Sequence, residues 1–77
     1  MPSIKCKCGE KLCYGEIPNP IEWLAISDVE YESYEGVIDA EKLYREMKSI
    51  LKCPSCSRLW VFWNGFDSAP DSYAPEI

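Results

Sequence analysis

The sequence predicts an α+β domain: a small antiparallel β-sheet of about three to five strands, one amphipathic helix packed on it, and a site made of four cysteines. Three observations predict this. Two close cysteine pairs, Cys6-Lys7-Cys8 and Cys53-Pro54-Ser55-Cys56, lie near opposite ends of the patterned part of the chain. Between them, Ala40, Leu43, Met47, Ile50 and Leu51 recur at helical spacing. After the second pair, Arg58-Leu59-Trp60-Val61-Phe62-Trp63 is rich in β-favouring residues and apolar on both faces, as in a central strand.

A chain of 77 residues has room for one domain, and domains this short often need a metal or disulfide staple. The hydrophobic share of 47%, with three tryptophans and five tyrosines, argues against disorder. No apolar run approaches the roughly 20 residues of a membrane helix. Met1-Pro2-Ser3-Ile4-Lys5 lacks the apolar core of a secretory signal, so a cytoplasmic location without membrane attachment is expected. The expected domain covers residues 1–66, and residues 67–77 read as an acidic, proline-containing tail, docked through Phe66 or Tyr73 or else mobile.

Taken in order, residues 3–7 read as a short strand entering the first cysteine pair. Gly9 follows Cys8 directly and supplies the positive φ that such a turn favours. It marks Cys8 as the second ligand of its pair and Cys6 as the first. Residues 11–15 read as the return strand, with Cys13 as a leftover core thiol. The alternative, Cys13 in place of Cys6, stays open because the spacer in Cys6-Lys7-Cys8 is shorter than usual. Ile17-Pro18-Asn19-Pro20 is a connection. A helical turn is open to residues 20–24, and beyond it Val29 and Tyr31 alternate with Asp28, Glu30 and Glu32 as in a half-exposed strand. The helix is expected over residues 39–51, with Asp39 as N-cap and Pro54 beyond its end.

Five cysteines in a chain with no secretory signal point to metal ligation rather than a disulfide framework. Cys6, Cys8, Cys53 and Cys56 are the candidate ligands of one structural Zn2+: four thiolates suit tetrahedral geometry and leave no position open for water. Cys53-Pro54-Ser55-Cys56 follows a helix and opens a strand, whereas redox pairs of this spacing open a helix.

The two motifs, Cys6-Lys7-Cys8-Gly9 and Cys53-Pro54-Ser55-Cys56, resemble the zinc ribbon, in which two knuckles on two β-hairpins share one zinc. The resemblance implies a structural metal site and no particular task. The sequence departs from it in the short first spacer, in Ser57 where a second glycine is common, and in the long insertion carrying a helix.

Histidine is absent, as are a glycine-rich phosphate loop and a nucleophile setting, so enzymatic activity is not expected. The net charge of −5 disfavours nucleic acid and favours a basic protein partner. Asp28, Glu30, Glu32 and Glu35 are the candidate acidic contacts. On a strand the first three would repeat every ~6.8 Å, near the separation of successive phosphates. Trp60 and Phe62 are the candidate aromatic contacts. Together these features suit a zinc-binding interaction module such as a bacterial inhibitor or immunity protein neutralising a nuclease toxin. Two alternatives remain: an accessory of transcription or translation contacting nucleic acid through Lys5, Lys7, Lys11 and Arg58, and a redox or metal-handling protein.

Overall fold

In the computed structural model, which describes residues 2–76, six strands form two antiparallel sheets. The first is a hairpin of β1 (Ser3–Lys5) and β2 (Lys11–Cys13), with Ile4 opposite Leu12. The second has four strands in the order β3 (Glu22–Ala25), β4 (Lys48–Lys52), β5 (Leu59–Phe62) and β6 (Asp71–Tyr73). No described helix is long and apolar enough to cross a membrane.

Strand register divides the larger sheet into two unlike faces. Across one run Glu22, Leu51, Trp60 and Ser72, followed by Leu24, Ser49 and Phe62. This inner face meets the hairpin: Cys6, Leu12, Leu51, Cys53 and Phe62 form the buried core, with Ile4, Tyr14, Ile21 and Trp60 packed around them. Phe66 closes one side of the core, its ring stacked on Tyr14 with centroids 4.5 Å apart. The outer face carries Trp23, Ile50, Val61 and Asp71, then Lys52, Leu59 and Tyr73.

The expected central strand is present, since β5 lies between β4 and β6. Residues 71–73, within the stretch read as a tail, form β6 along β5. Two elements differ from the sequence reading. The helix expected over residues 39–51 stops early: α2 spans Ala40–Glu46, and Met47 is already extended at ψ 149°. Residues 48–52 are instead β4, hydrogen-bonded between β3 and β5. Pairing on both edges satisfies their backbone better than another helical turn would. The helix also adds no buried residue, so the hairpin, rather than a helix, supplies the core cover on the inner face.

The second difference is α1 (Asp28–Tyr31), where an alternating strand was expected. Ser27 caps it: its Oγ accepts from the Glu30 backbone N–H at 3.1 Å and donates to Glu30 Oε1 at 3.1 Å. Ser27-Asp28-Val29-Glu30 is a capping-box sequence, and this local chemistry outweighs the alternation of apolar and acidic residues.

Candidate metal centre

Each cysteine pair occupies the turn of a β-hairpin, Cys6 and Cys8 between β1 and β2, Cys53 and Cys56 between β4 and β5. The two turns close in the same way. In the first, the Cys6 N–H donates to the Glu10 carbonyl at 2.8 Å and the Gly9 N–H donates to the Cys6 carbonyl at 2.9 Å. In the second, the Cys53 N–H donates to the Arg58 carbonyl at 2.9 Å and the Ser57 N–H to the Cys53 carbonyl at 3.0 Å. The shorter first spacer therefore removes one residue from the turn without changing its hydrogen-bond pattern.

Both turns need a left-handed residue after the second cysteine. Gly9 provides it at φ 100°, with open space where a Cβ would stand. Ser57 occupies the matching place at φ 65°, the one described non-glycine residue with positive φ. That backbone costs about 1–2 kcal/mol for a residue with a Cβ.

Packing of the hairpin on the inner face brings the pairs together. The Sγ atoms of Cys6, Cys8, Cys53 and Cys56 all lie within 4.8 Å of one another. Across the pairs, Cys6 Sγ is 3.5 Å from Cys56 Sγ, and Cys8 Sγ is 3.5 Å from Cys53 Sγ. Cys6 and Cys53 are buried, while Cys8 and Cys56 reach the surface. Such a cluster can bind a metal ion. Cys13 sits on β2 opposite Ser3, half-buried and outside the cluster.

A further donor faces the sulfurs. The Trp60 indole Nε1–H donates to Cys6 Sγ at 3.4 Å. Burial pushes the Cys6 thiol up, but the Cys8 backbone N–H, the Trp60 indole and the neighbouring thiols bring it down to about 6. Cys8 goes the other way. A hydrogen bond from the Glu10 backbone lowers it, but Cys53, burial and the remaining sulfurs raise it to about 12. Without a cation the cluster cannot hold four negative charges at such separations, so one thiol ionises readily while its neighbour resists.

The residues expected to bind a partner are dispersed. Asp28 and Glu30 lie on α1, Glu32 caps its end and Glu35 follows, all four exposed. They form no strand ladder, and the phosphate-like repeat is absent. Phe62 is only 2% exposed and belongs to the core, so it is not available as a surface contact. Trp60 is partly buried beside the sulfurs. No spacing rule in the sequence connects Trp60 to Cys6; the contact follows from the packing of the two sheets. Ser57 was the more legible position, a non-glycine residue where this turn favours glycine.

The family whose model matches residues 2–77 is a domain of unknown function, DUF8617. The chain belongs to that family. No curated protein and no solved structure matches it. Two cysteine knuckles on two hairpins, with their sulfurs gathered at one point, agree with the zinc-ribbon-like arrangement implied by the motifs.

Proposed function

We propose that the four thiolates hold one zinc ion and that the stapled domain serves as a non-catalytic protein-binding module in the cytoplasm. The observation carrying this reading is the convergence of all four Sγ atoms within 4.8 Å. A zinc ion with bonds of about 2.3 Å places tetrahedral sulfurs about 3.8 Å apart. The cross-pair separations of 3.5 Å are close to that edge. A multi-iron cluster, with its bridging sulfides, needs its thiolates farther apart. Four protein ligands fill the coordination sphere, which fits a structural role and leaves no place for a metal-bound water.

A basic protein is the favoured partner, and an inhibitor or immunity protein acting on a nuclease is the narrower form of this reading. Support comes from the net charge of −5 and from exposed Asp28, Glu30, Glu32 and Glu35. The acids line a short helix and its exit, so attraction would be long-range and sensitive to salt rather than built on a matched ladder.

Metal analysis of the purified protein should find one zinc per chain, and a strong chelator should unfold it. A stable, metal-free chain would overturn the zinc reading. Reversing Glu32 and Glu35 to lysine, which leaves the Ser27–Glu30 cap in place, should abolish inhibition of a basic nuclease without changing the melting temperature. Unchanged inhibition would dismiss the acidic contact. Salt-sensitive capture of DNA or RNA would instead favour contact through Lys5, Lys7, Lys11 and Arg58.

A further inference from the structure

The outer face of the larger sheet carries a groove of about 720 Å³. Ile50 and Leu59 form its floor, Trp23 stands on one side, and Tyr73, Ala74 and Pro75 stand on the other. A second hollow of about 300 Å³ continues past Trp23, Lys52 and Ser57 to Pro20, Ile21 and the Cys53-Pro54 knuckle. The two share Trp23, Lys52 and Ser57, so they form one elongated trough with these residues near its middle.

The walls are held in place. Tyr73 lies in β6, and its hydroxyl accepts from the Trp63 indole Nε1–H at 3.3 Å. Trp23 is fixed in β3 opposite Ile50. Both rings nevertheless remain open to solvent, Trp23 at 61% and Tyr73 at 50% exposure.

Lys52 is the one charged residue lining either hollow. Among the described residues the ion pair is Arg45 with Glu41, so Lys52 has no carboxylate partner there. Ser57, a hydroxyl-bearing residue on a backbone where glycine would fit without strain, lines both hollows with it. A cation and a hydroxyl thus interrupt an otherwise apolar, aromatic-walled trough in a chain whose net charge is −5.

We propose that this trough binds an extended peptide segment in which a carboxylate side chain is flanked by apolar residues or prolines. The carboxylate would meet the Lys52 ammonium and the Ser57 hydroxyl, and the flanking residues would lie along Trp23 on one side and Tyr73 on the other. Aromatic walls suit proline-bearing extended segments, whose conformation is already ordered before binding. The length of the joined hollows favours a segment over a compact small molecule. This site selects the opposite charge from the acidic helix; its larger hollow lies on the outer sheet face, and its second hollow reaches the knuckle that carries Cys53.

The test uses the protein as purified and two capped pentapeptides, Leu-Pro-Glu-Leu-Pro and its Gln counterpart, followed by amide and indole resonances and by calorimetry. The Glu peptide should move the Trp23 indole and the amides of Ile50, Leu59 and Tyr73. It should bind about fivefold more tightly than the Gln peptide, the effect of one exposed ion pair. Lys52→Gln should erase that difference while leaving the melting temperature unchanged, and Trp23→Ala should weaken both peptides. No shifts at millimolar peptide, equal binding of both peptides, or shifts centred elsewhere would overturn the proposal. So would concentration-dependent shifts of these residues without peptide, which would show the trough to be an interface between two copies. Zinc content is measured on the same samples, so failure here is separable from failure of the metal reading.

Discussion

Trp60 donates its indole N–H to Cys6 Sγ at 3.4 Å, across 54 positions of sequence. The ring belongs to the row of the larger sheet that also holds Leu51, and the sulfur belongs to the hairpin packed against it. Outer hydrogen bonds of this kind orient a ligand and spread its charge, and their loss commonly weakens metal affinity by 10- to 100-fold. Trp60→Phe keeps an aromatic ring in the core but removes the donor. It should lower zinc affinity about tenfold or more in competition with a chromophoric chelator, and should shift the thiolate charge-transfer band of the cobalt-substituted protein. An unchanged affinity and band would show that the indole only fills space.

The cysteines should separate into two classes. Cys53 is buried in the core as well as in the sulfur cluster. Cys53→Ser should therefore abolish metal retention and the folded state together, because a structural zinc contributes apparently about 10–16 kcal/mol in small domains. Cys13→Ser, outside the cluster, should keep one metal per chain and a fold close to that of the parent. Elemental analysis and circular dichroism of the two variants make the comparison.

Metal affinity should fall with acid across the accessible range. Binding requires thiolates, and Cys8, raised to about 12, must give up its proton to the metal at any ordinary pH. Cys6, lowered to about 6, is already ionised above that value and adds one further proton to displace below it. A plot of log affinity against pH should rise throughout and should be one proton steeper below about 6 than above it. Chelator competition at a series of pH values measures the slope. A flat profile would contradict thiolate ligation.

Ser57→Gly tests two properties at once. Relief of the left-handed backbone should stabilise the protein by about 1 kcal/mol, somewhat less than the full strain because glycine also loses more freedom on folding. The same change removes the hydroxyl that lines the trough with Lys52 and should weaken capture of the Glu-containing peptide. Thermal melts and calorimetry read the two effects separately. A loss of stability would mean that the serine side chain makes a contact stronger than the strain it bears.

Much of the metal centre was legible because the chemistry lies in local spacing. Cys8-Gly9 and Cys53-Pro54-Ser55-Cys56 specify turns, and turns need few residues to declare themselves. The strand from Leu59 to Phe62 was legible for a related reason, since a run apolar on both sides has little choice but the middle of a sheet. The junction at Met47 was not. Leu43, Met47 and Leu51 keep a spacing of four straight through the change from α2 to β4, so periodicity alone reads one helix where the structure holds a helix and a strand. What decides it is the pairing of β4 with β5 across the second knuckle and with β3, which lies far upstream of any helical window. The acidic stretch misled in the opposite sense. Its alternation was real, but Ser27 and Glu30 form a cap, and a cap needs only four residues.

Sulfur atoms that meet at one point are separated along the chain by 50 positions between Cys6 and Cys56 and by 45 between Cys8 and Cys53. Leu12 likewise finds its core neighbours in Leu51 and Phe62, far downstream. As the polypeptide leaves the ribosome, the first hairpin therefore emerges with half a site and nothing to pack against. It has to remain open until the second hairpin has been made. Nascent chains cut short before the second cysteine pair should stay protease-sensitive, and the domain should become resistant in one step once that hairpin clears the exit tunnel.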